Sequence, residues 1–151
     1  MCGIAGLINA RTAVSPGSLT RFVDSLQHRG PDGRGVWIDG SVGLAHRRLA
    51  ILDPDARANC PLEYLSPGRR KFVITFNGAV YNFLELRREL EACGHIFRTT
   101  GDTEVVAAAF AEWGAACLGR FNGMWAMAIW DVARRELFLA RDRFGVKPVS
   151  Y

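Results

Sequence analysis

The sequence predicts a layered α+β domain with mainly antiparallel sheets. Strand-like segments occur in hairpin pairs, and helix-like segments separate these pairs. The segment 124–130 is apolar at every position, so a strand there must be covered on both faces. A chain of 151 residues is long enough for one domain with its own hydrophobic core.

The first third of the chain contains a strand, a helix and a hairpin. Residues 3–8 are predicted to form a buried strand. The following helix has Ser15 as its N-cap and Pro16 in its first turn. The apolar face of this helix consists of Leu19, Phe22, Val23 and Leu26. The hairpin covers residues 35–38 and 42–47 and turns at Asp39-Gly40, a pair that is favoured in tight turns.

The rest of the chain adds two helices and three strands, which gives six strands and three helices in all. Alternation from Lys71 to Phe76 predicts a strand that stops at Asn77-Gly78. Asn82 with Glu85 indicates a helix start by a variant of the capping box, and Gly94 marks the C-cap. The apolar stripe of this helix is Phe83, Leu86, Leu90 and Cys93. The third helix begins at Asp102, ends at Gly114 and directs inward Val105, Val106, Ala109, Phe110 and Trp113. The strand over 124–130 pairs with 136–140 through a turn at 131–135.

Composition and charge exclude several classes of function. The net charge of +4 is scattered without a long run of like charges, so we expect no nucleic-acid partner. No apolar stretch reaches the roughly 20 residues that a membrane span needs, and no secretory signal is recognisable. We therefore expect a cytoplasmic protein with reduced thiols. The cysteines lack CxxC spacing and His28, His46 and His95 lack metal-ligand spacing, so we expect no metal and interpret these histidines as structural or loop residues.

Cys2 is the first candidate for catalytic chemistry. Removal of Met1 would give the chain an N-terminal cysteine with a thiol and a free α-amino group. An α-amino group has a pKa of about 7.7–8.0, so it can accept the thiol proton without a separate histidine. The thiolate could then attack a carboxamide carbon and form a thioester. A cysteine at position 2 is not specific by itself, so this hypothesis depends on the other residues of a site.

Two further pairs of residues fit such a site. The side-chain amide of Asn77 and the backbone N–H of Gly78 could converge as an oxyanion hole, although Asn-Gly is also common in plain turns. Arg48 and Asp102 could bind the carboxylate and the ammonium of a free amino acid. The alternative for Asp102 is an N-cap of the third helix.

Six segments in order resemble the class II glutamine amidotransferase domain of the asparagine synthetases, and the resemblance covers essentially the whole chain. The segments are Met1–Gly6, His28–Asp32, Gly43–Asp53, Phe76–Gly78, Gly101–Val105 and Arg141–Pro148. The His-Arg-Gly-Pro-Asp and His-Arg-Arg-Leu-Ala-Ile-Leu-Asp motifs favour this type over the hexosamine- and purine-pathway relatives. The resemblance implies an N-terminal nucleophile hydrolase fold, a four-layer αββα sandwich with two mainly antiparallel sheets.

The resemblance also implies roles for individual residues. Cys2 is then the nucleophile that hydrolyses L-glutamine to glutamate and ammonia, with Asn77 and Gly78 as the oxyanion hole. Arg48 binds the glutamine carboxylate and Asp102 the α-ammonium, while the loop His28–Asp32 supports the nucleophile's strand. The remaining residues that are expected to line the glutamine site are Leu49, Ile51, Leu52 and Ala79.

Two departures from the family pattern bear on these expectations. Ala79 stands where the family's Asn-Gly-Glu has a carboxylate that helps to bind the ammonium, and Cys60 precedes Pro61 where the family has Gln. Ala79 leaves open a degenerate domain that binds or regulates without turnover, and amide transfer to an acceptor other than aspartate is a further alternative. The domain itself, residues 1–151, is expected to need no cofactor.

The resemblance implies a longer parent chain. We expect a C-terminally truncated domain whose synthetase partner, linked in cis, would use ATP and Mg²⁺. A homodimer is kept as a candidate assembly.

Overall fold

Two antiparallel sheets form the centre of the molecule. The computed structural model describes residues 2–51 and 55–151. The first sheet has the order β1–β3–β2, with β1 (Gly3–Ile8), β2 (Gly33–Asp39) and β3 (Val42–Arg48). The second has the order β4–β5–β6–β7, with β4 (Leu62–Leu65), β5 (Lys71–Val80), β6 (Gly123–Asp131) and β7 (Glu136–Arg141).

Helices cover the outer face of each sheet. Helix α1 (Pro16–Asp24) packs on the first sheet, whereas α2 (Phe83–Ala92) and α3 (Asp102–Trp113) lie on the second. Short 3-10 helices span Gln27–Arg29, Ala56–Ala58 and Gly114–Arg120. The predicted four-layer αββα sandwich is therefore confirmed. None of the helices in the described ranges has the length and apolarity needed to cross a bilayer.

Alternation along the strands separates the core into layers. On β3, Val42 and Leu44 pack against Val73 of β5 and against β6, while Ala45 points to α1. The same alternation directs His46 and Arg48 of β3 away from α1. As predicted, β6 is buried on both faces, because its alternate residues pack against the first sheet and against the helices of the second.

Helix α1 begins as predicted. The Ser15 hydroxyl accepts a hydrogen bond from the Ser18 N–H at 3.4 Å, and Pro16 is in the first turn. Leu19 and Val23 are fully buried. The prediction is wrong for Phe22, which is 46% exposed and lies beside an open apolar cavity at the end of the sandwich.

Helix α2 begins as predicted, with Asn82 at the N-cap position, but the Asn82 side chain does not cap the first turn. The Asn82 amide instead donates to the Arg120 carbonyl and accepts from the Asn122 N–H, both at 2.9 Å, and so ties the start of α2 to the segment before β6. Cys93, predicted in the apolar stripe, is exposed because the helix ends at Ala92. Gly94 has φ +90° and follows the C-cap, which confirms the predicted helix end.

Helix α3 has Gly101 as its N-cap, so the alternative that Asp102 is the N-cap is wrong. Its predicted start at Asp102 and end at Gly114 are confirmed, and Gly114 has φ +56°. The predicted inward residues belong to the large core cluster of the second sheet.

The second sheet differs from the prediction in two places. The structure has a seventh strand, β4, whose four residues are too few for the alternation to identify from the sequence. Strand β5 does not stop at Asn77-Gly78 but continues to Val80, and Gly78 pairs with Trp125 of β6. The pair Asn77-Gly78 is therefore extended rather than a turn. The hairpin at Asp39-Gly40, with Gly40 at φ +57°, and the pairing of β6 with β7 are confirmed.

Candidate active site

Cys2 immediately precedes β1 and is held from two sides. The backbone N–H of Leu49 donates to Cys2 Sγ at 3.4 Å, and Arg29 Nε donates to the Cys2 carbonyl at 3.1 Å. The Cys2 side chain is half-buried rather than sealed in the core. A thiol in this position is fixed in direction and still open to a ligand.

The loop His28–Asp32 connects this nucleophile to the end of β3. In addition to the Arg29 contact, Asp32 accepts a hydrogen bond from the Ala50 N–H at 2.9 Å and donates its own N–H to the Arg48 carbonyl at 3.0 Å. Gly30 packs so closely on Arg47 that a Cβ would lie 2.5 Å from the Arg47 backbone. The loop therefore contacts Cys2 directly through Arg29, and through Asp32 it contacts the residues on either side of Leu49, whose N–H bonds to Cys2 Sγ.

Among the residues that the structure describes, the oxyanion-hole candidates lie on a strand edge that has no neighbouring strand. The pairing of β4 with β5 ends at Leu62 and Ile74, whereas β5 continues to Val80. The Tyr81 N–H bonds to Asn122 on the β6 side, so by alternation Phe76, Gly78 and Val80 direct their backbone groups to the open edge.

Side chains cover this edge on both sides of Gly78. His46 Nε2 lies 2.9 Å from the Phe76 carbonyl oxygen, and the Val80 N–H donates to Asp102 Oδ2 at 2.9 Å. Alternation directs the Gly78 N–H to the same edge between them, where a ligand in the adjoining cavity can reach it. The Asn77 side chain lines that cavity together with Cys2. An amide and a backbone N–H beside a thiol are what an oxyanion hole requires.

Arg48 is 8% exposed and comes from the last position of β3. Its Nη1 donates to the Asp55 carbonyl at 2.9 Å and to Asn59 Oδ1 at 2.6 Å. The segment around residues 55–59 thus holds the Arg48 guanidinium through Nη1. Arg48 also lines the cavity. A fixed guanidinium is suited to bind a carboxylate through two parallel hydrogen bonds.

Asp102 is buried at the start of α3. Burial raises the pKa of its carboxyl above the ordinary value, while backbone hydrogen bonds from Val80, Asp102 and Thr103 act in the opposite direction. Its position in the first turn of a helix also favours the ionised form. The carboxylate can therefore serve as an anionic partner for an ammonium in the cavity.

One cavity of about 180 Å³ brings the predicted site residues together. It is lined by every predicted residue that the structure describes, namely Cys2, Arg48, Leu49, Ile51, Asn77, Gly78, Ala79 and Asp102. Ile51 lies at the rim and is 75% exposed. Met1 and Leu52 lie outside the described residues. The cavity is smaller than the roughly 300 Å³ at which drug-sized sites begin, so its size suits a small amino acid.

Five polar or thiol residues of this cavity are not among the predicted site residues, namely His46, Cys60, Thr99, Thr103 and Lys147. His46 was interpreted as structural or as a loop residue, Cys60 was noted only as a departure, and Lys147 was part of a motif without a role. The signal for His46 was its position two residues before Arg48, which places both on one face of β3. Burial raises the pKa of the Cys60 thiol to about 12, so this thiol stays protonated.

Lys147 reaches the cavity because Asp142 organises the preceding turn. The Asp142 carboxylate accepts backbone N–H groups of Trp125, Phe144, Val146 and Lys147 at 2.9–3.2 Å. Burial acts to raise the pKa of Asp142, but these donors hold it below the ordinary value. The Arg141–Pro148 motif thus contributes a buried cation to the site region.

A second cavity adjoins Cys2 and Asn77 on the other side. Its volume is about 520 Å³, and its walls are mainly apolar side chains of β1, α1 and β7 together with Pro148–Tyr151. Cys2 therefore lies between the cavity that contains the predicted site residues and this second, larger cavity. Within residues 2–51 and 55–151, no group of three or more His, Cys, Asp or Glu side chains is placed to hold a metal ion.

Known proteins resemble this chain along its whole length. A model of the glutamine amidotransferase domain matches residues 1–151. Asparagine synthetase [glutamine-hydrolyzing] 3 of Bacillus subtilis (strain 168) is 40% identical over 153 residues, which cover 100% of this chain and 25% of that protein. A putative asparagine synthetase [glutamine-hydrolyzing] of Mycobacterium tuberculosis is 40% identical over 163 residues, with 99% and 25% coverage. The chain thus spans about a quarter of the length of these relatives.

Solved structures support the fold. Glutamine phosphoribosylpyrophosphate amidotransferase of B. subtilis superposes with a TM-score of 0.80 at 23% identity, covering 98% of this chain and 38% of that chain. At this identity the likeness concerns the fold, which is that of the N-terminal nucleophile hydrolases. The domain match covers the whole chain and the fold agrees with it, so the chain belongs to the glutamine amidotransferase domain family.

Proposed function

We propose that this domain hydrolyses L-glutamine to L-glutamate and ammonia through a γ-glutamyl thioester on Cys2. The observation that carries the proposal is the common cavity, in which a thiol, an amide, a guanidinium and a carboxylate from separate segments face one small volume. Arg48 would hold the α-carboxylate and Asp102 the α-ammonium, which leaves the carboxamide beside Cys2.

The reaction would proceed in two steps after removal of Met1. The α-amino group of Cys2 accepts the thiol proton, and the thiolate attacks the carboxamide carbon. The Asn77 amide and the Gly78 N–H stabilise the oxyanion, and the C–N bond breaks as the proton passes to the departing ammonia. A water molecule, activated by the same amino group, then attacks the thioester. The C–S bond breaks, glutamate leaves and the thiol is restored.

The fate of the ammonia belongs to the same proposal. Relatives about four times as long are named for asparagine synthesis, so we propose that a synthetase domain linked in cis receives the ammonia and uses ATP and Mg²⁺. The larger cavity beside Cys2 is the side from which ammonia could leave while glutamate occupies the smaller cavity. The acceptor of the ammonia would be set by that second domain.

Ala79 supports a second candidate function. It lines the cavity where the related motif has a glutamate, so the ammonium side lacks one carboxylate. A domain of this kind could bind glutamine weakly and act by binding alone. The retained thiol, Arg48, Asn77 and Asp102 favour turnover over this alternative.

Intact mass spectrometry after exposure to a diazoketone analogue of glutamine tests the proposal. We expect a chain that lacks Met1 and carries one adduct, with the adduct lost in Cys2→Ala and competed away by L-glutamine. Glutamate formation from glutamine should disappear in the same variant. Cys93→Ala is a matched control, because Cys93 is exposed and lines neither of the two cavities beside Cys2. Retention of Met1, or labelling that survives Cys2→Ala, would contradict the catalytic role of Cys2.

A further inference from the structure

His46 makes one directed hydrogen bond, and that bond joins the two sheets. It lies on β3 and is only 3% exposed, and its Nε2 is 2.9 Å from the Phe76 carbonyl oxygen on β5. A carbonyl only accepts hydrogen bonds, so Nε2 carries the hydrogen and the tautomer is fixed. In the described part of the chain, the buried Nδ1 has no hydrogen-bond partner.

The bond controls the backbone next to the oxyanion hole. Phe76 and Val80 lie two residues before and two residues after Gly78, and His46 and Asp102 hold their carbonyl and N–H respectively. On the other edge of β5, which pairs with β6, a Cβ on Gly78 would lie 2.4 Å from the Met124 carbonyl oxygen, so Gly78 packs directly on β6. The Gly78 peptide is therefore restrained from three directions, and His46 supplies one of them.

The strand that carries His46 also carries Arg48, two residues later and on the same face. One strand thus sets the position of the guanidinium at one end of the cavity and, through Phe76, the position of the oxyanion donors. The distance between the Arg48 guanidinium and the oxyanion donors must match the length of a bound glutamine, because the α-carboxylate and the carboxamide of glutamine are joined by a fixed number of bonds.

We propose that His46 is a positioning residue of the oxyanion hole, which holds the Phe76 carbonyl and thereby fixes the direction of the Gly78 N–H and of the Asn77 amide. The role rests on the proposed glutamine hydrolysis. His46 acts through Phe76 and is not a general base: burial lowers the pKa of its imidazole to about 4, and its hydrogen-bearing nitrogen faces a carbonyl. An apolar residue would fill the space without burying an unpaired nitrogen, so packing alone does not account for a histidine here.

Kinetics of three substitutions test the role. His46→Leu removes the donor, His46→Gln places an amide N–H near the Nε2 position, and the amide of His46→Asn is too short to reach it. For His46→Leu we expect kcat to fall by about tenfold to a hundredfold, which is less than the loss from deleting an oxyanion-hole donor. The KM for glutamine and the inhibition constant of L-glutamate should stay within about twofold, because neither ground-state complex develops an oxyanion.

His46→Gln should recover kcat to within about threefold of the unaltered chain, whereas His46→Asn should not. Labelling of Cys2 by the diazoketone analogue gives the fraction of competent molecules in each variant, so rates can be compared for equal numbers of intact sites. His95→Leu is the matched control, because His95 is also 3% exposed and lies outside both cavities that contact Cys2. Its kcat per labelled site should be unchanged.

Other outcomes would contradict either the positioning role of His46 or the proposed glutamine hydrolysis. Equal kcat in His46→Gln and His46→Asn, or a parallel rise in the KM and in the L-glutamate inhibition constant, would overturn the positioning role and leave glutamine hydrolysis intact. If His46→Leu does not fold, the comparison of the Gln and Asn variants decides alone. Absence of turnover in the unaltered, fully labelled chain would overturn the proposed function and this role with it.

Discussion

At position 79 a methyl group stands on one side of the cavity where the related motif has a carboxylate. Ala79 shares a face of β5 with Asn77 and lines the cavity. Asp102 is the acidic side chain among the described lining residues, and it already accepts the Val80 N–H. An ammonium in the cavity therefore has fewer acidic partners here than in the related motif with glutamate at this position.

Restoring the carboxylate should strengthen glutamine binding. We expect Ala79→Glu to lower the KM for glutamine about tenfold to a hundredfold, because a hydrogen bond to a charged group contributes about 1.5–3 kcal/mol. The kcat should change little, since the ammonium is bound alike in the ground state and the transition state. Initial rates of glutamate formation measure both. Ala79→Gln is the control of equal size, and an equal effect of Gln and Glu, or no effect of Glu, would contradict the account.

At the scale of elements, strand β5 is the structure on which the site depends. It pairs with β6 along its whole length but with β4 only as far as Ile74. From Phe76 to Val80, the edge of β5 that is not paired with β4 presents backbone N–H and C=O groups, which can bond to side chains and to a ligand. A strand that is longer than its neighbour thus presents backbone groups to the cavity without a turn, a helix end or a loop.

The close packing of Gly78 on β6 gives a prediction for this element. In Gly78→Ala the added Cβ would meet the Met124 carbonyl oxygen at 2.4 Å and the Trp125 Cα at 2.6 Å, and both are backbone atoms. We expect the free energy of unfolding to fall by about 1–3 kcal/mol, because β5 and β6 must separate locally. Glutaminase activity per folded molecule should also fall, because the Gly78 N–H is displaced.

Urea denaturation and initial rates measure the two effects. Gly119→Ala is the matched control, because an added Cβ there meets nothing within 4 Å. Its free energy of unfolding should stay within about 0.5 kcal/mol of the unaltered value. Equal stability and activity of the two variants would show that the contact with β6 does not restrain Gly78.

At the scale of the whole molecule, the two sheets are joined by polar bonds as well as by apolar packing. Thr75 Oγ1 on β5 donates to the Ala45 carbonyl on β3 at 3.1 Å, and His46 bonds to Phe76 close by. Both bonds lie between the sheets on the side of Cys2. The global stability of the sandwich is therefore linked to the protonation of His46.

The direction in which the free energy of unfolding changes with pH follows from the pKa of His46. Burial lowers the pKa of His46 from 6.5 to about 4, so between these values the unfolded chain binds the proton and the folded chain does not. The free energy of unfolding should therefore fall as the pH is lowered from 6.5 to 4, with a contribution from this residue of about 3 kcal/mol at most. In His46→Gln this contribution should be absent, so the difference between the two chains should shrink or reverse toward pH 4.

Urea denaturation at several pH values between 4 and 7 gives this difference directly. A difference between the unaltered chain and His46→Gln that stays constant across the range would contradict a neutral, buried imidazole. Other groups titrate in both chains, so their effect cancels in the comparison.

Local patterns were sufficient for most of the elements. The capping at Ser15, the tight turn at Asp39-Gly40 and the double burial of β6 follow from short-range chemistry, and the structure confirms them. Two errors have a common cause. The Asn82 side chain and the pair Asn77-Gly78 carry strong local signals for a capping hydrogen bond and for a turn, but contacts with the segment 120–125 override both, although α2 still begins with Asn82 as its N-cap.

The same distinction between local patterns and tertiary contacts applies to the site. Residue chemistry along the chain was sufficient to predict the candidate nucleophile, the candidate oxyanion pair and the Arg48 and Asp102 charges, because these are local properties, whereas the four-layer sandwich was implied by the resemblance of six ordered motifs to a known family. The extended conformation of Gly78 on an open strand edge and the contact of His46 with that edge could be seen only in the folded chain. The reason is that β4 ends before β5 does and β3 lies across from it, and both facts depend on pairing between residues about 12 to 30 positions apart.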